Sequence, residues 1–490
     1  MDVAIVGAGF AGIGMAIALK KAGSASFVVL ERARDVGGTW RDNDYPGCAC
    51  DIPSMLYSFS FEQRQRWSRI YPLQSEIWDY LRRCTDKYGI RPHIRFESEL
   101  REARYDEGSA TWTVRTQRET LRTRVLITGL GPLNKPAIPA LPGIERFGGV
   151  LFHSSQWNHA FDCAGKDVAV VGTGASAIQF VPELAPRVRR LSVFQRTAPW
   201  IIPKLDGPVG PLQQALRRFV PFYAWTVRKL IYWLLELRAY GFTIDPRQLA
   251  VAEKIAQRHL ERQVPDPALR RALTPDYRLG CKRVLLSNDY YPALQRDNVE
   301  LVTAPIAEVR ERSIVTADGV ERPIDALILG TGFQATSGVA PVAIYGRGGL
   351  ELNEAWRNGI EAYVGITVAG FPNFFMLVGP NTGLGHNSVV FMIEAQVRYV
   401  MSALAYMRSK KVDALDVRSD VQLTFNRALQ RRMSRTVWAS GCKSWYLDER
   451  GKNVTLWPGF TFVYRLLTRR LNPEHYSKTR LPAASHAPAR

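Results

Sequence analysis

Apolar residues along this chain gather in short closed runs that end in glycine. DVAIVGAGFAGIGMAIALKKAGSASFVVLER (2–32) reads as a buried strand, a glycine turn, a helix with Ala-Ile-Ala-Leu on its inner face, and a second strand closing at Glu31. That order of periodicities predicts a βαβ unit. KDVAVVGTGASAIQFVPELAPRVRRLSVFQR (166–196) repeats the plan, its turn beginning at Gly172 where the first begins at Gly7. The fold class expected is therefore α/β, with two Rossmann-like dinucleotide-binding domains.

The rest of the pattern divides the chain further. LITGLGPLNKPAIPALPGIERFGG (126–149) is dense in glycine and proline and reads as a linker. From about 205 to 280 a charged, helical pattern interrupts the second unit. DALILGTGF (325–333) and FPNFFMLVGPNTG (371–383) are returning strands, which predicts that the C-terminal part of the chain completes the first domain. The expected division is 1–140 and 327–480 for the first domain and 141–204 and 281–326 for the second. The helical insertion is 205–280, and 481–490 is a disordered tail with little to bury.

FVPFYAWTVRKLIYWLLEL (219–237) is the most membrane-like stretch, but Arg228 and Lys229 interrupt it well short of the ~18 uncharged residues of a span. An amphipathic helix packed inside the protein is the bland reading. Contact with a membrane surface or a hydrophobic substrate is the sharper one, and no integral membrane segment is expected.

Composition narrows the classes. At 490 residues, 46% hydrophobic and 22% charged, the chain suits two or three globular domains. A net charge of +20 could suggest nucleic acid, yet the arginines are scattered, with no basic block or zinc spacing beside them. Anionic cofactors explain the excess more simply, and no metal site is expected. Six cysteines in a chain this long do not make a disulfide framework, and Cys48 and Cys50 lack the two-residue gap of a thioredoxin-type pair. A reducing, cytoplasmic setting fits, since no basic n-region precedes an apolar h-region.

Gly7, Gly9 and Gly12 supply G-x-G-x-x-G between strand and helix. The first allows the tight turn, the second lets a pyrophosphate approach the backbone, and the third lets helix and strand pack. The helix N-terminus favours the anion. Glu31 lies about twenty residues on, where a carboxylate accepts from ribose hydroxyls. In the second unit Gly172, Gly174 and Ala177 match, but the strand ends at Gln195-Arg196-Thr197 without an acid. A carboxylate there would repel a 2′-phosphate, whereas a guanidinium pairs with it, so the second nucleotide is expected to be NADP(H), read by Arg196 and Thr197. Such a pair of sites passes electrons from nicotinamide to flavin. Disulfide reductase and oxygenase both remain open, although the cysteine spacing disfavours the former.

GGTWRDNDYPGCACD (37–51) fits the pattern [AG]-G-x-W-x-x-x-x-[FY]-P-[GM]-x-x-x-D, and FGGVLFHSSQWN (147–158) supplies Phe147, Gly149, His153 and Trp157 of F-x-G-x-x-x-H-x-x-x-W-[PD]. Asn158 departs from the last position. On these two signatures and the two ordered nucleotide motifs the chain resembles the type I Baeyer–Villiger monooxygenases, such as cyclohexanone and phenylacetone monooxygenases, over nearly its whole length.

The resemblance implies FAD, NADPH and O2, and oxygen insertion next to a ketone carbonyl through a C4a-peroxyflavin, giving an ester or lactone. It implies catalytic roles for Arg283, in LGCKRVLLSNDYY, and for Asp51 as its partner, with Lys282 joining Arg196 at the 2′-phosphate. Gly38, Thr39, Trp40, Asp51, Tyr57, Gly332 and Asn381 are implied beside FAD, and Trp445 over the nicotinamide ribose. His153 and Trp157 are implied to lie on the interdomain linker and to couple NADP binding to domain rotation. His386 is tempting as an acid or base, but the family pattern does not ask for it. The partner expected is a small hydrophobic ketone, with no nucleic acid, in a monomer or homodimer. N- or S-oxygenation or hydroxylation by the same cofactors is the nearest alternative, and a catalytically silent FAD- or NADPH-binding protein is the alternative of another class.

Overall fold

The structure, a computed structural model, describes residues 1–23, 25–63, 66–220, 222–334 and 342–482. Two five-stranded parallel sheets organise it. The first runs in the order Phe374–Met376, Val125–Thr128, Val3–Val6, Phe27–Leu30, Ile94–Arg95. The second runs Val299–Val302, Arg190–Phe194, Asp167–Val171, Ala326–Leu329, Val150–His153. Five of these strands, VAIV, FVVL, VLIT, ALIL and FFM, are buried at every position, as parallel strands covered on both faces must be. Val3 pairs with both Phe27 and Val125, placing the first glycine turn at the centre of its sheet.

Three expectations are corrected by this topology. Val125–Thr128 is a central strand of the first sheet, so the linker begins only after it; four consecutive apolar or β-branched residues outweigh the glycines that follow. Ala326–Leu329 pairs with Asp167–Val171 in the second sheet and does not return to the first, so the second domain extends past the expected boundary at 326. Phe374–Met376 alone supplies the C-terminal strand of the first sheet. The helix Phe10–Ala22 is buried on nearly all sides and not along one stripe, because the first sheet and the long helix Val389–Lys410 both cover it.

The insertion is helical as expected, with helices at Pro211–Phe219, Tyr223–Thr243, Ala250–Gln263 and Pro267–Ala272. Phe242 and Leu249 from it join Trp200, Leu384, Met392, Trp438, Tyr446 and Trp457 in one buried cluster. That cluster brings together segments from both domains and the C-terminal loop. Of the expected tail, Leu481 donates its N–H to Asp413, and residues 483–490 lie outside the described residues. Among the described residues one helix, Val389–Lys410, is long and apolar enough to cross a membrane; half its apolar window is buried inside the fold, as in a core helix.

Candidate active site

Both glycine turns are built alike. Gly7 has φ +98°, and a Cβ there would lie 2.7 Å from the Gly129 carbonyl oxygen; Gly172 has φ +110°, and a Cβ would lie 2.4 Å from that of Gly330. Each turn thus presses on the residue leaving the neighbouring strand, and only glycine fits. A Cβ on Gly12 would fall 1.8 Å from the Gly7 oxygen, so the third glycine sets the helix against the turn. Ala177, fully buried, takes the equivalent place in the second unit.

The residues fit FAD on the first turn. Gly9 and Gly38 bring their backbones together, a Cβ on Gly38 lying 3.2 Å from the Gly9 Cα, which leaves a cradle bare of side chains at the N-terminus of Phe10–Ala22. Glu31, buried just beyond Phe27–Leu30, accepts from the Ala8 N–H at 2.8 Å, the Ala33 N–H at 3.0 Å and Arg41 at 3.0 Å. Gly38 caps the short helix Thr39–Asp42, which carries Thr39 and Trp40; the Trp40 indole donates to Tyr57 at 3.1 Å. Asn381 commits its side-chain amide to the carbonyls of Asn453 and Leu456, so it anchors the C-terminal loop. Gly332, with φ +79°, has open space around it.

The second turn is electropositive. Gly174 is open, and Thr197, whose carbonyl accepts from Thr173 at 3.2 Å, stands beside exposed Arg196. Burial lowers the Lys282 pKa, and nearby Arg196 lowers it further. Two cations held close enough to oppose each other make a site for an anion, and this arrangement fits a 2′-phosphate.

Arg283 reaches Asp51 across 232 positions of sequence, Nε donating to Oδ2 at 2.8 Å and Nη2 to the same oxygen. About a third of each side chain stays accessible. Asp51 raises the already high pKa of Arg283, so the guanidinium is a fixed cation at every working pH. Tyr446, 1% exposed, lies against Arg283, and burial pushes its phenol up to about 12. The Trp445 ring packs on Tyr446 with centroids 4.6 Å apart and is 42% exposed.

His153 ends the edge strand Val150–His153 and Trp157 packs on Phe152 and Phe180, so both belong to the second domain's body and not to a linker. The apolar strand VLF and its pairing with Ala326–Leu329 pull them there. Phe147 packs with the same domain, and Gly149 is required because a Cβ would lie 2.4 Å from the Asp325 oxygen. His386 is buried with neither ring nitrogen hydrogen-bonded, and burial, with Arg238, pushes its pKa down to about 3. Its Nε2 lies 3.8 Å from the buried Glu236 carboxylate without a hydrogen bond to it.

Sequence reasoning missed Arg41, Tyr446 and the buried Glu236, which accepts from Asn387 at 2.6 Å and the Thr461 hydroxyl at 2.7 Å. Arg41 sits inside the first signature and Tyr446 directly follows Trp445, so proximity to flagged residues was their only signal. One cysteine expectation is also corrected: Cys281 and Cys442 form a disulfide, with Cα atoms 6.2 Å apart. A pairing across 161 residues leaves no mark in local spacing. Cys48 and Cys50 are free and buried; burial pushes Cys48 up to about 12 and Cys50 well above its ordinary value. Such thiols are poor nucleophiles, so Cys48 and Cys50 are not a redox pair.

A family model described as pyridine nucleotide-disulphide oxidoreductase matches residues 4–209, the part that holds both glycine turns. A Baeyer–Villiger monooxygenase of Streptomyces coelicolor is 46% identical over 100% of this chain and 94% of its own length. The chain belongs to the Baeyer–Villiger monooxygenases. Among solved structures, a steroid monooxygenase bound to NADP superimposes with TM-score 0.87 at 31% identity, covering 97% of this chain and 99% of that one. OTEMO in complex with FAD and NADP superimposes with TM-score 0.89 at 28% identity, covering 98% and 99%. This Baeyer–Villiger monooxygenase is a flavin-dependent enzyme that uses FAD and NADPH and converts a ketone to an ester or lactone.

Proposed function

We propose that the substrate is a hydrophobic ketone and that Arg283, fixed by Asp51, carries the oxygen-transfer chemistry. The observation behind this reading is the Arg283–Asp51 pair beside the aromatic cluster of Trp200, Phe242, Trp438, Tyr446 and Trp457. Gly7, Gly9, Gly12, Glu31 and Gly38 would hold FAD; Gly172, Gly174, Arg196, Thr197 and Lys282 would hold NADPH. When bound, the nicotinamide supplies a hydride and the flavin an activated oxygen.

The chain's own residues set the electrostatics. As negative charge grows on the ketone oxygen, a guanidinium already oriented and permanently charged stabilises it without reorganising. Asp51 accepts both Nε–H and Nη2–H on one carboxylate oxygen, which fixes the plane of the guanidinium and leaves its other N–H groups to be turned toward the reacting atoms or Tyr446. Trp438, Trp457 and Phe242 exclude water, which strengthens that interaction and favours an apolar ketone. His153 and Trp157, packed in the second domain, would transmit movements of that domain. A cytoplasmic enzyme, as monomer or homodimer, accords with its need for continuously regenerated NADPH.

Ketone-dependent NADPH oxidation, with product mass, tests the reading across small cyclic, long-chain and steroidal ketones, with sulfides alongside. Ester formation that rises with substrate hydrophobicity supports it; preference for small polar ketones overturns the substrate class.

A further inference from the structure

The helix Tyr223–Thr243 has two apolar faces and only one of them is covered. Arg228, Tyr232, Leu235, Ala239 and Phe242, spaced as one helical face, are buried against the protein. On the other side Leu230, Trp233, Leu234 and Leu237 are exposed, Trp233 at 50% and Leu237 at 68%. A surface helix of a globular protein ordinarily turns polar residues outward, and a helix apolar all round is ordinarily enclosed. The patch continues onto a neighbouring helix, Thr461–Leu467, where Leu466 and Leu467 are exposed. The Trp233 and Phe462 rings lie 6.0 Å apart, and the Tyr232 hydroxyl bonds that of Thr461 at 2.9 Å, so the two helices present one surface.

The exposed charges carried by these two helices and by the turn after the second are cations, while Glu394, part-buried, stands near Arg228 and Arg398. Lys229, Arg238, Arg469 and Arg470 are exposed along it. The only acid on either helix is Glu236, which is 1% exposed and turned inward. We propose that this surface docks on an anionic lipid bilayer, its leucines and tryptophan entering the headgroup boundary while the lysine and arginines meet lipid phosphates. A second copy of the chain is the weaker occupant, because a two-fold contact would set these cations against themselves. On its inward face the same helix bonds Asn387 through Glu236 and packs Phe242 near His386 and Trp438, so a bilayer-dissolved ketone would be taken up next to the aromatic cluster.

The docking is read without substrate, so it stands or falls apart from the ketone assignment. The FAD-loaded enzyme is sedimented with vesicles of phosphatidylcholine alone and of phosphatidylcholine mixed with phosphatidylglycerol. It should sediment with the mixed vesicles and be released by salt. A Trp233→Ser/Leu237→Ser variant should bind them at least about tenfold more weakly, and Lys229→Glu/Arg470→Glu should lose the preference for anionic vesicles, both retaining FAD and NADPH oxidation in solution. Enzyme that stays in the supernatant with both lipids, or variants that partition like wild type, overturns the proposal. So does a dimer that Trp233→Ser/Leu237→Ser dissociates, with no uptake onto lipid.

Discussion

Cys281 is joined to Cys442, and the bridge ties the segment carrying Lys282 and Arg283 to the loop carrying Trp445 and Tyr446. Two pieces of the proposed active site, contributed by distant parts of the chain, are thereby held in one frame. Closing so long a loop is worth about 2–4 kcal/mol, chiefly by restricting the unfolded chain. Thiol titration of denatured, unreduced protein should count the four free cysteines, and reduction should expose the other two. Cys281→Ser/Cys442→Ser should melt several degrees lower and show a higher KM for NADPH at similar FAD content. Six titratable thiols before reduction would remove the bridge from the account.

Arg283→Ala should bind FAD and be reduced by NADPH, yet lose at least about 100-fold in ester formation, the scale on which a fixed oxyanion partner is removed. Arg283→Lys should recover little, since an ammonium cannot reproduce a fork held by Asp51. Ester yield per NADPH is the measurement, and wild-type yield from the alanine variant would take Arg283 out of the chemistry.

Local features of the site were legible in the sequence and contacts across long separations were not. The two glycine turns, Glu31 and the acid-free end at Arg196 follow from spacing of a few residues, because turn, helix and strand demand particular residue types there. The pairing of Ala326–Leu329 with the second sheet was not legible: ALIL is equally suited to the centre of either sheet, and only pairing with Asp167–Val171 decides it. Asp51 and Arg283 were joined by family resemblance, since 232 intervening positions erase any local pattern. Tyr446 and the Cys281–Cys442 bridge had no such signature and emerged only from packing.

Lys282 and Arg196 should act as one unit toward the 2′-phosphate. Replacing either, as Lys282→Met or Arg196→Ala, should raise the KM for NADPH about tenfold or more while leaving that for NADH nearly unchanged, the effect of losing a charge-assisted contact. Equal effects on both coenzymes would defeat the assignment.

The lowered pKa of Lys282 gives the same site a pH signature. Burial and then Arg196 disfavour its charged form, so it loses its proton at lower pH than the ordinary 10.5. The destabilisation of the folded protein by this charge is fully present below the lowered value and gone above 10.5. A bound 2′-phosphate favours the charged form again. The KM for NADPH should therefore rise as pH climbs through the lowered value, with NADP+ binding taking up a proton there, and Lys282→Met should flatten the rise. A KM profile that keeps its alkaline limb in that variant would place the titration elsewhere.

Tyr446 supplies the last test. Its hydroxyl lies against Arg283, while its ring is enclosed by the aromatic cluster and Trp445 packs on it. With a phenol pushed up to about 12 by burial, it stays neutral beside the guanidinium. Tyr446→Phe keeps the packing and removes the hydroxyl dipole that faces Arg283, while the Asp51 pair stays in place. Ester formation should fall about tenfold, the lower end of what a polar group facing a charge contributes, with more NADPH diverted to hydrogen peroxide and unchanged KM for NADPH. A merely structural Tyr446 would lower the melting temperature and leave the ratio of ester to peroxide where it was.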